Sequence, residues 1–414
     1  MKNRRHFLMS TGAAGLGLLA SPLLAADSPS EKIRIGMIGV GNQGKNNLKI
    51  FMKNVVAVAD VDSARVGAAK ENVEKTNKGK CDAYGDFRRM LDRKDIDAVV
   101  ITIPDHWHAL ATVLSCQAGK DVYCEKPLTL TIDEGHHMIA AARKYDRIVQ
   151  TGSQQRSDDK FRLACELIRS NALGKLTHVE VGVPKVNFSG PAVPDSTPPS
   201  ELDYDFWLGP APKRPYNEKH VHYLFRFFWD YSGGQLTNFG AHHLDIVQWA
   251  LGKDNSGPIS AEGTAKYHEQ GWYETPDPFD ITYTYEGGLK VHCGQKYKGG
   301  VTFYGEKGSL FVTRGKLESN PVEIAKKPHI SEHLYVSKNH ADNWLDCIKT
   351  RKLPICDVAI GHSSATVCHL GNIALRTGKK VLWDPAKQVM VGDSETAAMV
   401  SKPYRTPWLM PKIG

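Results

Sequence analysis

The chain has 414 residues, 41% of them apolar and 24% charged, the composition of an ordinary soluble globular protein with room for two or three domains. Its formal charge of +8 is mild once the basic residues of the first 26 are set aside, and no Lys/Arg run interleaved with aromatics points to nucleic acid. The eight cysteines are scattered, with no C-x-x-C pair and no Cys/His cluster of zinc spacing, so they read as buried free thiols and no metal site is expected.

Residues 1–26 read as a targeting signal rather than as fold: Lys2, Arg4 and Arg5, a Gly/Ala/Leu run from 12 to 26, then polar Asp27-Ser28. The apolar run is too short to span a bilayer comfortably, so no membrane span is expected in the mature chain. Arg4-Arg5-His6-Phe7-Leu8 resembles the twin-arginine export pattern, which implies an exported, periplasmic protein cleaved after Ala25 or Ala26.

The first strand, 33–38, runs into Gly39-Val40-Gly41-Asn42-Gln43-Gly44 and a helix-like stretch at 45–53. This G-x-G-x-x-G permits a tight turn at Gly39, backbone approach of a pyrophosphate at Gly41 and close helix–strand packing at Gly44, with Asn42 and Gln43 on the phosphate side. The next strand, 55–60, ends in Asp60, 21 residues after Gly39, where a carboxylate grips a ribose 2′-hydroxyl. A carboxylate there repels a 2′-phosphate and favours NAD; Ser63 and Arg65 close behind leave NADP open. Strands at 83–84, 98–103, 121–124 and 148–151 alternate with helices at 63–78, 87–93, 108–118 and 132–144. That alternation predicts an α/β domain, a Rossmann doubly wound parallel sheet over 31–152. Two strand ends carry polar residues towards the expected cofactor: Pro104, Asp105 and His108, and then Glu125, Lys126 and Pro127. A lysine beside a nicotinamide can steady an alkoxide; spacing alone leaves Lys126 open as a solvated surface lysine.

Residues 153–385 read as a second, α+β domain with a large, mostly antiparallel open sheet. Arg156 stands before a helix at 158–171, and a strand follows at 176–183. The loop 187–232 is dense in Pro and aromatics; Arg156, Arg226 and Trp229 are the candidate substrate contacts, since aromatic faces stack on sugars and guanidinium groups donate to hydroxyls. The same aromatics also suit a satellite hydrophobic cluster beneath a long loop. In the run from Gly233 to Asp245, helical spacing puts Asn238, His242 and Asp245 on one face. His242 is a candidate general base, although Asn238 also suits a helix N-cap and His242 a core histidine. Strands at 259–267, 280–285, 289–296, 301–304 and 309–313, helices at 341–349 and 362–376, and a wrapping tail at 386–414 complete the reading.

The glycine motif, Ala59-Asp60-Val61-Asp62, P-x-x-x-H at Pro104 and His108, and Ala118-Gly119-Lys120 through Glu125-Lys126-Pro127 together resemble the glucose–fructose oxidoreductase/inositol dehydrogenase (Gfo/Idh/MocA) family. The family's second signature, G-G-G-x-x-x-D-x-G-x-H-x-x-D, is matched at Gly233, Gly234, Gly240, His242 and Asp245, with Asn238 where the family usually has Asp. The resemblance implies Lys126 and His242 as catalytic residues, Asn238 and Asp245 as their companions, and Pro104, Asp105, His108, Glu125 and Pro127 around the nicotinamide. It further implies hydride transfer between NAD(P) and a secondary hydroxyl of a sugar, glycoside or cyclitol, in a homo-oligomer, dimer or tetramer. Two other readings remain: an NAD-dependent glycosidase working by transient C3 oxidation and elimination, and a non-catalytic sugar-binding relic.

Overall fold

The central strands of the first sheet have no exposed face. Strand β1 (Ile35–Ile38) is buried along its whole length, as expected of a parallel strand covered by helices on both sides. The structure, a computed structural model, describes residues 32–413; the expected export signal lies outside the described residues. After β1 come α1 (Asn42–Phe51), β2 (Val55–Ala59), α2 (Ser63–Asn77), β3 (Asp82–Tyr84) and α3 (Phe87–Leu91). Then follow β4 (Ala98–Ile101), α4 (Asp105–Gln117), β5 (Asp121–Cys124), α5 (Ile132–Lys144) and β6 (Val149–Thr151). The strands pair in parallel in the order β3-β2-β1-β4-β5-β6. The order reverses between β1 and β4, which opens a crevice at their carboxyl ends where ligands of such sheets bind.

Among the helices that flank this sheet, two starts differ from the sequence expectation. Helix α4 begins at Asp105 rather than 108, because Pro104, with φ −61° and ψ 151°, serves as its N-cap. Helix α1 begins at Asn42, directly on the glycine turn.

The second sheet follows α6 (Asp159–Arg169). Its first strand is β7 (Leu176–Gly182), after which the chain makes α7 (Tyr204–Leu208), α8 (Gly234–Asn238) and α9 (Gly240–Ala250). Strands β8 (Ser260–Ala265), β9 (Phe279–Thr284), β10 (Lys290–Gly294), β11 (Gly300–Gly305), β12 (Gly308–Thr313) and β13 (Lys316–Asn320) come next. The chain closes with α10 (Glu323–Lys326), α11 (His340–Thr350), α12 (Val358–Thr377), β14 (Val381–Asp384), β15 (Val389–Met390) and α13 (Ser394–Ala398). The sheet order is β13-β12-β11-β7-β10-β9-β8-β14-β15, antiparallel except where β7 meets β10. Helices α6, α9 and α12 cover one face around Phe161, Leu244, Leu370, Tyr283 and Phe303. The other face carries the half-buried residues of strands such as β9, where buried and half-buried positions alternate.

Strand β13 is polar and alternates exposed with half-buried residues, so it gives no hydrophobic signal; it forms as an edge strand on β12. Helix α11 packs on the first sheet rather than the second: Trp344 meets Phe51 at 5.4 Å and Tyr123 at 5.7 Å between ring centroids. The tail also folds back. Trp408 sits edge-on to Trp107 at 4.8 Å and stacks on Phe206 at 5.4 Å, and Tyr404 donates to Glu134 at 2.8 Å. All eight cysteines are buried and free, and among the described residues no helix is long and apolar enough to cross a membrane.

Candidate active site

A cavity of about 740 Å³ starts at the carboxyl ends of β1 and β4 and extends to α8 and the turn between β12 and β13. At its first end Gly39 has φ +85°, and a Cβ there would lie 2.3 Å from the Thr102 carbonyl oxygen, so only glycine fits the turn. Gly41 is the N-cap of α1 and no side chain caps the helix, so its first amides are left for a phosphate. Asp60 is pinned at the end of β2, its carboxylate accepting from the Val40 amide (2.9 Å) and the Asp62 amide (3.0 Å). Burial raises its affinity for a proton against those two amides. An uncapped helix start, a glycine turn and an acid at the neighbouring strand end fit a dinucleotide with its ribose on Asp60.

At the other end β5 delivers Glu125, Lys126 and Pro127. Glu125 is buried; its Oε1 accepts from Asn47 (3.0 Å), Gln154 (3.3 Å) and Gln43 (3.4 Å), and its Oε2 from the Lys126 amide (3.2 Å). Lys126 Nζ donates to Asn238 Oδ1 (2.9 Å) and to the Asn238 carbonyl (3.1 Å). Burial, then the nearby Arg226 and Arg314 cations, pull Lys126 down to about 8 against the attraction of Glu125 and Asp105. His242 stands one turn on from Asn238 and its buried Nδ1 has no partner among the described residues. Burial and the adjacent Lys126 and Arg314 hold His242 well below its usual range, so it is neutral at pH 7.

Asp105 and His108 form the wall between the two ends. The Asp105 carboxylate accepts from Ser232 Oγ at 2.5 Å, and burial pushes it up. Both His108 ring nitrogens face backbone carbonyls, Nδ1 that of Pro127 (2.7 Å) and Nε2 that of Ile103 (2.8 Å). Two acceptors require two N–H groups, the arrangement of an imidazolium. Despite burial, Cys124, Asp105 and the Pro127 carbonyl raise His108 to about 10.

Loop 187–232 covers the cavity. It is tied to the end of β2 by Ser63 N–H to Glu201 O (2.8 Å) and Asp203 N–H to Val61 O (3.0 Å). From it Trp207, His222, Tyr223, Phe225 and Arg226 line the space.

The cavity thus brings together Gly39, Gly41, Asn42, Gln43, Asp60, Pro104, Asp105, His108, Glu125, Lys126, Pro127, Arg226, Asn238 and His242. Three expected site residues do not reach it. Arg156 is 1% exposed and grips Asp245 (2.8 Å) and Asp254 (2.6 Å) with its guanidinium, so it is a structural counter-ion rather than a substrate contact. Asp245, 0% exposed, is consumed by that pair and by Ser364 Oγ at 2.6 Å. Trp229 turns away, its ring between Arg376 (4.1 Å) and Lys402 (4.6 Å). Asn238 is the last residue of α8, with Phe239 joining α8 to α9, so it caps no helix and is free to hold Lys126. Sequence reasoning also missed Asn47 and Arg314. Asn47 had a signal: a polar residue among the buried positions Gly44, Leu48 and Phe51 of α1. Arg314 had none, since it arrives only through the β12–β13 turn, held beside α6 by Lys160 Nζ to Gly315 O at 2.8 Å.

Comparison with known proteins gives the same architecture. The NADH-complexed WlbA dehydrogenase of Chromobacterium violaceum superposes with a TM-score of 0.65 over 86% of this chain and 97% of its own, at 20% identity. Levoglucosan dehydrogenase, solved with NADH and levoglucosan, gives 0.63 over 85% and 99% at 16% identity. The aldose-aldose oxidoreductase of Caulobacter crescentus gives 0.61 over 85% and 99% at 19% identity. Among curated relatives, the alpha-N-acetylgalactosaminidase of Shewanella oneidensis is 28% identical over 206 residues, 43% of this chain. A glycosyl hydrolase family 109 protein of Shewanella sp. strain ANA-3 is 27% identical over the same length. The chain spans 45% of the length of each of these two relatives. The family description "Oxidoreductase family, NAD-binding Rossmann fold" matches residues 33–153, and "Oxidoreductase family, C-terminal alpha/beta domain" matches residues 180–410. With both parts matched over most of its length, the chain belongs to the Gfo/Idh/MocA family of NAD-binding oxidoreductases.

Proposed function

We propose that this protein moves hydride between NAD and a secondary hydroxyl of a sugar, glycoside or cyclitol, with Lys126 and His242 handling the hydroxyl proton and the alkoxide. The observation that carries this is the pairing, in one cavity with the glycine turn, of a lysine held on Asn238 and a neutral histidine with a free ring nitrogen. Lys126 has three N–H bonds and spends two on Asn238, leaving one for a substrate oxygen. With its pKa at about 8, roughly nine in ten Lys126 side chains are charged at pH 7, the form that steadies an alkoxide. Neutral His242 accepts the hydroxyl proton. Bound nicotinamide supplies the hydride chemistry; the chain supplies placement and proton handling. Asp60 favours NAD over NADP, because Arg65, the nearest cation, is already paired with Asp62 at 3.1 Å.

A second reading, a glycosidase working by transient oxidation of its sugar and elimination of the aglycone, is favoured by the likeness to the alpha-N-acetylgalactosaminidase over 43% of the chain. The two separate on one experiment: protein as purified is given sugars and aryl glycosides, with absorbance at 340 nm and aglycone release followed together. A lasting change at 340 nm supports the first reading, and aglycone release without it the second. Lys126→Met and His242→Gln should each lose about 10²–10⁴ in turnover while dinucleotide still binds. Turnover unchanged in both variants refutes the assignment.

The open face of the second sheet, with His178 stacked on Tyr304 at 4.4 Å, is proposed as the dimer or tetramer surface. Export through the twin-arginine route is proposed on Arg4-Arg5-His6-Phe7-Leu8; retention in the cytoplasm of both the wild type and an Arg4→Lys/Arg5→Lys variant would refute it.

A further inference from the structure

Two arginines on the cavity, half-buried Arg226 and exposed Arg314, form no ion pair among the described residues, unlike half-buried arginines elsewhere in the fold. Arg162 pairs with Glu166 at 2.9 Å and Arg214 with Glu274 at 2.9 Å. Arg226, half-buried on the covering loop, donates its Nε to the Tyr223 carbonyl (2.8 Å) and rests on the Tyr223 ring (4.0 Å) and the Phe225 ring (5.6 Å). Among the described residues it makes no ion pair, and its terminal N–H groups take no protein acceptor. Arg314, at the cavity mouth, lies over Phe239 at 5.8 Å. In the orientation that satisfies both of its ends, the Gln155 amide gives its nitrogen to His242 O (3.0 Å) and its oxygen to Arg314 Nε (3.3 Å); this is the one polar partner Arg314 has among the described residues.

The carboxylates that line the same space are already committed. Glu125 is filled by four N–H donors. Asp105 is held by Ser232 and faces the His108 imidazolium. Asp158 caps α6 through the amides of Lys160 (2.9 Å) and Phe161 (3.3 Å). Asp60 lies at the far, ribose end. Lys126 feels both Arg226 and Arg314 as repelling charges. Three cations therefore share the chemistry end of the cavity; Glu125 and Asp105 attract Lys126 and Asp105 attracts Arg226, but among the described residues neither acid forms an ion pair with the two arginines. A guanidinium fork with no protein acceptor on its terminal N–H groups matches the planar oxygens of a carboxylate or the tripod of a sulfate.

We propose that the carbohydrate taken by this site carries an acidic substituent, a carboxylate or a sulfate ester, bound by Arg226 with Arg314 at the mouth. This rests on the carbohydrate-oxidoreductase reading above and narrows it: uronic acids, their glycosides and sulfated sugars are substrates ahead of their neutral parents. The dinucleotide's own phosphates are the other anion within the cavity, and the test separates the two.

The test uses the full chain with bound NAD and matched pairs of neutral and acidic sugars, glucoside against glucuronide and galactoside against its 6-sulfate. Binding is read by calorimetry and turnover by kcat/KM, at low and at high salt. The acidic member should lead by at least about tenfold at low salt, the worth of one charge-assisted fork, and the lead should shrink at high salt. Arg226→Gln and Arg314→Gln should each collapse the acid-to-neutral ratio, and Arg226→Lys should restore part of it. Equal or better handling of the neutral sugars by the wild type overturns the proposal and leaves the oxidoreductase reading standing. So does an Arg226→Gln defect seen as weaker dinucleotide binding with the ratio intact, which assigns Arg226 to the pyrophosphate. If no sugar of either kind binds, the carbohydrate reading itself falls, and this proposal with it.

Discussion

Replacing Asn238 by Asp tests the electrostatics of the site. Asn238 Oδ1 lies 2.9 Å from Lys126 Nζ and carries no charge. A carboxylate at that distance attracts the ammonium by about 6 kcal/mol at an effective dielectric of 20, equivalent to about 4 pKa units. Water in the cavity and the cost of burying the new charge reduce this, and about 2 units is the least expected, enough to bring Lys126 from about 8 to about 10, near its ordinary value of 10.5. If charged Lys126 steadies the alkoxide, wild-type kcat/KM falls above pH 8, by about tenfold per pH unit. Asn238→Asp should move that descending limb to pH 10 or beyond, and the same carboxylate should raise His242. The assay is a kcat/KM profile from pH 6 to 10.5 for both proteins, with Lys126→Met as the baseline. A wild-type profile that rises through pH 8, or a limb unmoved by Asn238→Asp, would refute the role given to charged Lys126.

Four further substitutions probe other levels of the account. Arg156→Ala leaves Asp245 buried and uncompensated, and should cost about 3–5 kcal/mol in urea unfolding; a specific rise in KM at unchanged stability would return Arg156 to the substrate. His108 holds its proton up to about pH 10 in the folded chain, against about 6.5 unfolded, so its contribution is full below pH 6.5 and is lost as pH rises through 10. Unfolding free energy should therefore fall more steeply from pH 6.5 to 10 in the wild type than in His108→Gln, and equal slopes would contradict the imidazolium. Gly39→Ala meets the Thr102 carbonyl and a positive φ, and should lose about 2 kcal/mol or more. Gly41→Ala meets only the tip of the Arg65 side chain, so it should fold and melt as the wild type while dinucleotide affinity drops; thermal melts with and without NAD distinguish the two.

The parts of this protein legible in its sequence are those where chemistry is local. The glycine turn, the acid after β2 and the alternation of strand and helix are near neighbours in the chain, and they specify a parallel α/β sheet with its crevice. Lys126 and Asn238 are 112 residues apart, and only the two family signatures link them before the structure places them in contact. Arg156 illustrates the limit. A cation beside an expected cleft reads the same whether it faces a ligand or a buried acid, and Asp245, 89 residues on, decides for the acid. Trp229 fails for a related reason: its ring is equally good for a sugar or for the two cations that flank it. Strand β13 escaped because an edge strand needs no apolar face, and Arg314 because a hairpin turn has no periodicity to say where it will land.

The most direct test of the central claim begins with the full chain purified without added nucleotide. The protein is denatured, any released dinucleotide is identified by mass and absorbance, and intact protein is then mixed with NAD and with neutral and acidic sugars while absorbance at 340 nm is followed. The account predicts that the protein carries or binds one NAD(H) per chain and that a carbohydrate hydroxyl changes its redox state, with Lys126→Met binding the dinucleotide but not changing it. A protein that neither carries nor binds NAD(H), or that binds it and leaves it unchanged with every sugar and glycoside, would contradict the claim.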